Sequence, residues 1–222
     1  MPGLFNGVIM KLSPDYTPCL KIFIGIMAIV NPLGAIPVFL SLCSGRTVEE
    51  IKRTARITAI AVAVVLLVAT WFGDSVLAFF GIGIAAFRAA GGLLILLMAL
   101  AMMHARQSHV KRSPEEESAD TDREDVAVVP LAVPLLAGPG AISLVIVEAQ
   151  RGATVLHEVM ISICIGLVAL CAWIILLLAE PIGERLGVTG LNIVTRIMGL
   201  LLAAIGVQMI ADGLIKLFPG LT

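Results

Sequence analysis

Few side chains in this apolar 222-residue sequence can do chemistry, and the most unusual of them come in pairs. One pair is the stretches Val30-Asn31-Pro32-Leu33-Gly34-Ala35-Ile36-Pro37 and Pro134-Leu135-Leu136-Ala137-Gly138-Pro139-Gly140-Ala141-Ile142, each inside a long apolar run. Proline removes a backbone donor and glycine has little helix preference, so both runs should break. Asparagine is a favoured N-cap and proline a favoured first helical residue, which predicts a new half-helix starting at Asn31-Pro32. Gly138-Pro139-Gly140 predicts another. An opened turn frees N–H groups that hydrocarbon cannot satisfy, and the positive end of a half-helix suits a carboxylate. Asn31, Pro32, Gly34, Gly138, Pro139 and Gly140 are therefore candidate substrate-binding residues, two half-helix ends facing each other around a solute. The alternative is a pair of structural kinks satisfied by neighbouring hydroxyls.

Arg88 and Arg196 form the second pair. A central arginine in a membrane helix costs about 2.5–3.5 kcal/mol on insertion scales, so each is expected to face the bundle interior. Two roles stay open for them: a latch on carbonyls freed by the broken helices, or a direct partner for a substrate carboxylate or gate. Gly91 and Gly199 follow three residues later on the same helical face and permit close helix approach. Asp74, Glu148, Glu180 and Asp212 fall at the ends of apolar runs, as solvated or arginine-paired carboxylates do. His104, His109 and His157 lie at or beyond the membrane boundary. Trp71 and Trp173 read as interfacial anchors. Cys19, Cys43, Cys164 and Cys171 match no metal or disulfide pattern and read as small buried hydrophobes. Neither a nucleophile with its base, nor paired intramembrane aspartates, nor a His-Glu-x-x-His motif is present, so no enzyme and no cofactor is expected.

The elements that must position these residues follow from composition. With 59% hydrophobic and 14% charged residues, the chain belongs in a lipid bilayer. Its near-neutral charge gives no reason to expect nucleic acid as a partner. Six apolar runs are long enough to cross about 30 Å of hydrocarbon: Leu20 to Cys43, Thr54 to Phe72, Ile84 to Met103, Val126 to Val147, Val159 to Ala179 and Leu191 to Ala211. Continuous runs rather than alternation exclude a barrel. The start of the chain does not resemble a cleavable signal peptide, so the first span is expected to direct its own insertion.

A polar segment, 107–125, reads as a cytoplasmic linker between two three-helix repeats, 1–106 and 126–222. Gly34-Ala35-Ile36 aligns with Gly140-Ala141-Ile142, and Arg88 through Leu94 aligns with Arg196 through Leu202, at offsets of 106 and 108. Three spans per half invert the second repeat relative to the first. The expected fold is all-α, a polytopic membrane protein of six transmembrane helices in an inverted 3+3 repeat, with the first and fourth helices broken. Arg46, Lys52, Arg53, Arg56, Arg106, Lys111, Arg112, Arg123 and Arg185 then lie on one side, against Lys11, Lys21, Arg151 and Lys216, which places both termini outside. If the broken segments are instead re-entrant, four spans remain and only Arg185 is left on the far side.

These motifs together carry a resemblance. Asn31-Pro32-Leu33-Gly34-Ala35-Ile36-Pro37, Arg88 with Gly91-Gly92, Pro130 through Gly140, and Arg196 with Gly199 look like the MarC family of bacterial and archaeal inner-membrane proteins. The resemblance spans nearly the whole chain. It implies a six-span protein of the cell inner membrane that transports small neutral amino acids such as glycine and alanine, with protons or sodium as coupling ions. A small zwitterion fits the physical reading, its carboxylate at the half-helix ends and its small side chain needing little room. A non-transporting scaffold or stress protein, and drug efflux, are the alternatives. Glycine-rich faces could pack within one protomer or build a homo-oligomer.

Overall fold

The structure, a computed structural model, describes residues 17–104, 136–152, 154–218 and 220. The linker 107–125, His109 and the first part of the expected fourth span lie outside the described residues. Among these residues seven helices occur in order: α1 (Thr17–Val30), α2 (Pro32–Leu42), α3 (Val48–Phe79), α4 (Ile84–Met103), α5 (Pro139–Gly152), α6 (Val155–Leu177) and α7 (Ala179–Leu217). There is no strand among the described residues.

Among the described residues five segments are long and apolar enough to cross a membrane: Cys19–Leu42, Val48–Phe79, Ile84–Met103, Val155–Leu177 and Thr189–Leu217. Each matches one of the apolar runs read from sequence. The helices also carry the outward faces that lipid requires. Ile60, Val64, Val68 and Phe72 on α3 are exposed at four-residue spacing, as are Leu93, Leu97 and Leu100 on α4 and Ile163, Leu167, Leu170 and Ile174 on α6 at three or four. Aliphatic stripes of this length are foreign to a soluble surface and match hydrocarbon.

Local chemistry sets the helix ends. Thr47 and Glu50 form a reciprocal capping box at the start of α3, with Thr47 N–H donating to Glu50 Oε2 at 2.9 Å and Glu50 N–H to Thr47 Oγ1 at 3.3 Å. The helix is about 48 Å long at 1.5 Å per residue, so its charged first turns project beyond the hydrocarbon. Within α7, Gly187 takes φ 61° and ψ −179°, which separates a short N-terminal piece from the apolar span that follows.

The centre of the bundle is the contact of α4 with α7. It is antiparallel and glycine-lined. A Cβ on Gly92 would lie 2.6 Å from the Gly206 carbonyl, one on Gly206 2.8 Å from the Gly92 carbonyl, and one on Gly213 2.7 Å from the Ala85 carbonyl. Only hydrogen at these positions lets the backbones meet, as expected of helix association without a hydrophobic driving force. Around this pair α3 packs on α6 and α5, α1 on α6 and α5, and α2 on α7 and α6.

The break between α1 and α2 does not reverse the chain. Cys19, near the start of α1, has its Sγ 3.4 Å from Cys164 Sγ in the middle of α6, and Leu40, near the end of α2, lies against Gly183, beyond the C-terminus of α6. The two halves therefore advance in one direction past α6. Pro37 is accommodated inside α2.

Candidate functional site

Asn31 forms the first break. It sits at φ 44°, ψ 61°, the only non-glycine residue at positive φ among those described, and it is buried. Asparagine tolerates this left-handed conformation better than most residues because its short side chain bonds locally. Here Oδ1 accepts the Gly34 N–H at 3.1 Å, and Nδ2 approaches Met102 Sδ at 3.8 Å. The backbone N–H of Asn31 closes α1 on Met27 O at 2.9 Å. Pro32 has no N–H. The expected N-cap is thus present, and it consumes donors that the sequence reading left for a guest. Gly34 is required by this geometry, since a Cβ there would fall 2.4 Å from Asn31 Nδ2.

The second expected break falls at 136–138, the described residues that lead into α5 at Pro139. Gly138 O accepts from Ala141 N–H at 2.9 Å and Ile142 N–H at 3.1 Å. Gly140, one residue inside the helix, has no room for a side chain: a Cβ would meet Ile95 Cγ1 at 2.5 Å and Ile29 Cγ2 at 3.7 Å. Leu136, Ala137, Gly138 and Gly140 are buried, whereas Pro139 is exposed. Asn31 and Gly138 are both buried. The polar space expected between them is instead occupied by apolar side chains, with Ile29 and Ile95 against Gly140 and Met102 against Asn31 and Gly34.

One stripe of α4 links these features. Its buried residues are Arg88, Gly91, Gly92, Ile95 and Ala99, with Met102 half-buried at the end. Gly91 abuts Ser143 of α5, where a Cβ would lie 2.5 Å from Oγ; Ile95 touches Gly140; Met102 touches Asn31. From Arg88 to Ile95, and again from Ile95 to Met102, is roughly 10 Å at 1.5 Å per residue. Both breaks and an arginine thus share one helix face.

The two arginines part company. Arg88 is buried, its side chain 7% exposed, and it pairs with Asp212 of α7 across 3.8 Å. Its Nε has no partner among the described residues. Arg196 is exposed, which corrects the expectation that both face inward. Gly91 and Gly92 are both buried and bracket Arg88 at i+3 and i+4, turning it toward the bundle. Arg196 is followed by buried Gly199 but by Leu200, which is 64% exposed, so its face rotates to the rim.

Asp212 gathers a cluster that sequence reading did not assemble. Gln208 Nε2 donates to Asp212 Oδ1 at 2.8 Å, and Arg151 Nη2 of α5 lies 4.0 Å from Asp212 Oδ2 while its Nη1 pairs with Glu148. His157 of α6 contacts the Glu148 carbonyl at 2.9 Å, in the last turns of α5. Trp71 Nε1 donates to Ser162 Oγ at 3.1 Å, joining α3 to α6, and Trp173 Nε1 is buried without a partner among the described residues. No three metal-ligating side chains cluster among the described residues. A surface depression lined by Arg46, Glu50, Arg53, Thr54 and Ile57 includes neither break.

Fold and site define an integral, multi-pass helical membrane protein in which one span is interrupted at buried Asn31 and another helix starts just after buried Gly138. The family model described as MarC family integral membrane protein matches residues 17–218. Membrane protein YhcE of Escherichia coli is 41% identical over 207 residues, covering 93% of this chain and 96% of the relative. YvbG of Bacillus subtilis is 36% identical, covering 90% and 96%, and the archaeal MJ1677 of Methanocaldococcus jannaschii is 38% identical, covering 86% and 93%. The chain belongs to the MarC family. No solved structure matches it.

Proposed function

We propose that this protein is a secondary transporter of small neutral amino acids of the glycine and alanine kind, working by alternating access around its two broken helices in the cell inner membrane. The observation that carries the reading is the convergence of two buried half-helix starts, after Asn31 and after Gly138, on the face of α4 that also bears Arg88. Broken helices at an interface between repeats are the usual place for substrate in such folds.

An inverted repeat is supported by the packing. Exchanging α1–α4 for their counterparts in the second half turns the contact of α5 with α4 into that of α2 with α7, and that of α5 with α3 into that of α2 with α6; all four are made. Six spans with both termini outside follow if the described α5 continues a fourth crossing. The structure then represents a closed conformation, in which Ile29, Ile95 and Met102 must withdraw to admit a solute.

A structural role for the breaks is the second reading, favoured by the satisfaction of Gly34, Ala141 and Ile142 N–H within the chain. Purified protein in liposomes decides between them. Counterflow of labelled alanine or glycine is expected, and its loss is expected in Asn31→Ala. No uptake of any solute in a broad panel by well-folded protein would leave the scaffold role. Cysteines placed at Thr17 and Gly45 in a cysteine-free background should label from opposite sides of the membrane; labelling from one side would replace the crossing first segment by a re-entrant one.

A further inference from the structure

We propose that Arg88 and Asp212 are the two charged subsites for a zwitterionic guest, Arg88 taking its carboxylate and Asp212 its ammonium group, and that this binding opens the outer end of α4 against α7. This rests on the transport reading above and deepens it by moving charge recognition away from the half-helix ends.

The guanidinium is the first reason. Arginine offers five donors, and the side chain of Arg88 is more than nine-tenths buried with Nε unpartnered among the described residues. Its ion pair with Asp212 spans 3.8 Å, well beyond the 2.7–2.9 Å of a strong charge-assisted bond. Asp212 therefore balances the charge of Arg88 without filling its donors. Asp212 is held where it is by other groups, Gln208 Nε2 at 2.8 Å and Arg151 Nη2 at 4.0 Å.

Charge balance selects the guest. Arg88 and Arg151 face Asp212 and Glu148, with the neutral amide of Gln208 on Asp212 and the ring of His157 on the Glu148 carbonyl. Among the described residues of this cluster, two positive and two negative side chains leave no net charge to offset. A simple anion at Arg88 would confront the Asp212 carboxylate within salt-bridge range, and a simple cation at Asp212 would confront both guanidiniums. A molecule carrying both charges on neighbouring atoms restores each pair. For it to insert, Arg88 and Asp212 must separate by roughly 5 Å if each new bond is about 2.8 Å long. That movement separates α4 from α7 at the end of the stripe leading past Gly91 and Ser143 to Gly140.

Equilibrium binding of tritiated alanine to the full chain in lipid nanodiscs tests this, with propionate and ethylamine as competitors that each keep one charge. Alanine is expected to displace the label at least a hundredfold more effectively than either fragment, and Asp212→Asn and Arg88→Gln are each expected to weaken alanine binding about ten- to a hundredfold, the range for loss of a charged hydrogen bond. Competition by either fragment within threefold of alanine overturns the assignment in the wild-type protein, whatever becomes of the variants. Unchanged binding in both folded variants also overturns it while leaving transport intact. A wild-type protein that binds and transports no neutral amino acid overturns both.

Discussion

Asn31 offers a test by sign as well as size. In a continuous helix alanine is more stable than glycine by about 1 kcal/mol. At φ 44° the order should invert, because a left-handed conformation costs an L-residue with a Cβ roughly 1–2 kcal/mol and costs glycine almost nothing. Asn31→Ala and Asn31→Gly both remove the 3.1 Å bond to Gly34 N–H and the 3.8 Å contact with Met102, so those losses cancel in the comparison and the backbone term remains. Relative to wild type, the alanine variant should be less stable by about 1 kcal/mol or more and the glycine variant by about a few tenths. Thermal unfolding of the three proteins in one detergent reads the result, at about 2–4 °C per kcal/mol for a chain of this size. Glycine should melt above alanine by a few degrees. Alanine melting above glycine would mean that the helix is unbroken at Asn31, and the reasoning about the site would fall with it.

The helix contacts give further expectations. Gly92→Ala and Gly206→Ala place a methyl 2.6 Å and 2.8 Å from a facing carbonyl and should destabilise by about 1–3 kcal/mol, whereas Gly166→Ala, with open space around it on α6, should be neutral or up to about 1 kcal/mol stabilising; melting temperatures in one detergent compare them. Copper-phenanthroline oxidation should join Cys19 to Cys164, whose sulfurs lie 3.4 Å apart, and the intramolecular link should be absent from Cys164→Ser by mass spectrometry of peptides. Thr47→Ala should cost about 1 kcal/mol through the capping box, measurable by the same unfolding assay.

The elements were readable because their causes are local. Asn31-Pro32 combines a side chain that caps a helix with a ring that starts one, and both act within three residues. The apolar runs reach membrane length by composition alone, and five are met by spans. Pairings between distant positions were not readable. Nothing in the order of residues says that Arg88 meets Asp212 or that Cys19 meets Cys164, because both contacts arise from how helices rotate and stack. The likeness between the two halves of the sequence misled in one respect, by giving Arg196 the role of Arg88. A signal was available in the second glycine: Gly91-Gly92 requires two adjacent positions to face inward, while Gly199-Leu200 requires one. The closure of the breaks by Ile29, Ile95 and Met102 depends on conformation, which the pattern of residue types does not encode.

Ser143 lies buried between Gly91 and the break at Gly138, at the point that must open if the broken helices admit a solute. With the native cysteines replaced, Ser143→Cys in a transport-active protein should react with a membrane-impermeant thiol reagent, and saturating alanine should slow that reaction. A thiol in the Ser143→Cys variant that stays inert from both faces of the membrane while alanine is carried across would contradict a path between the two breaks.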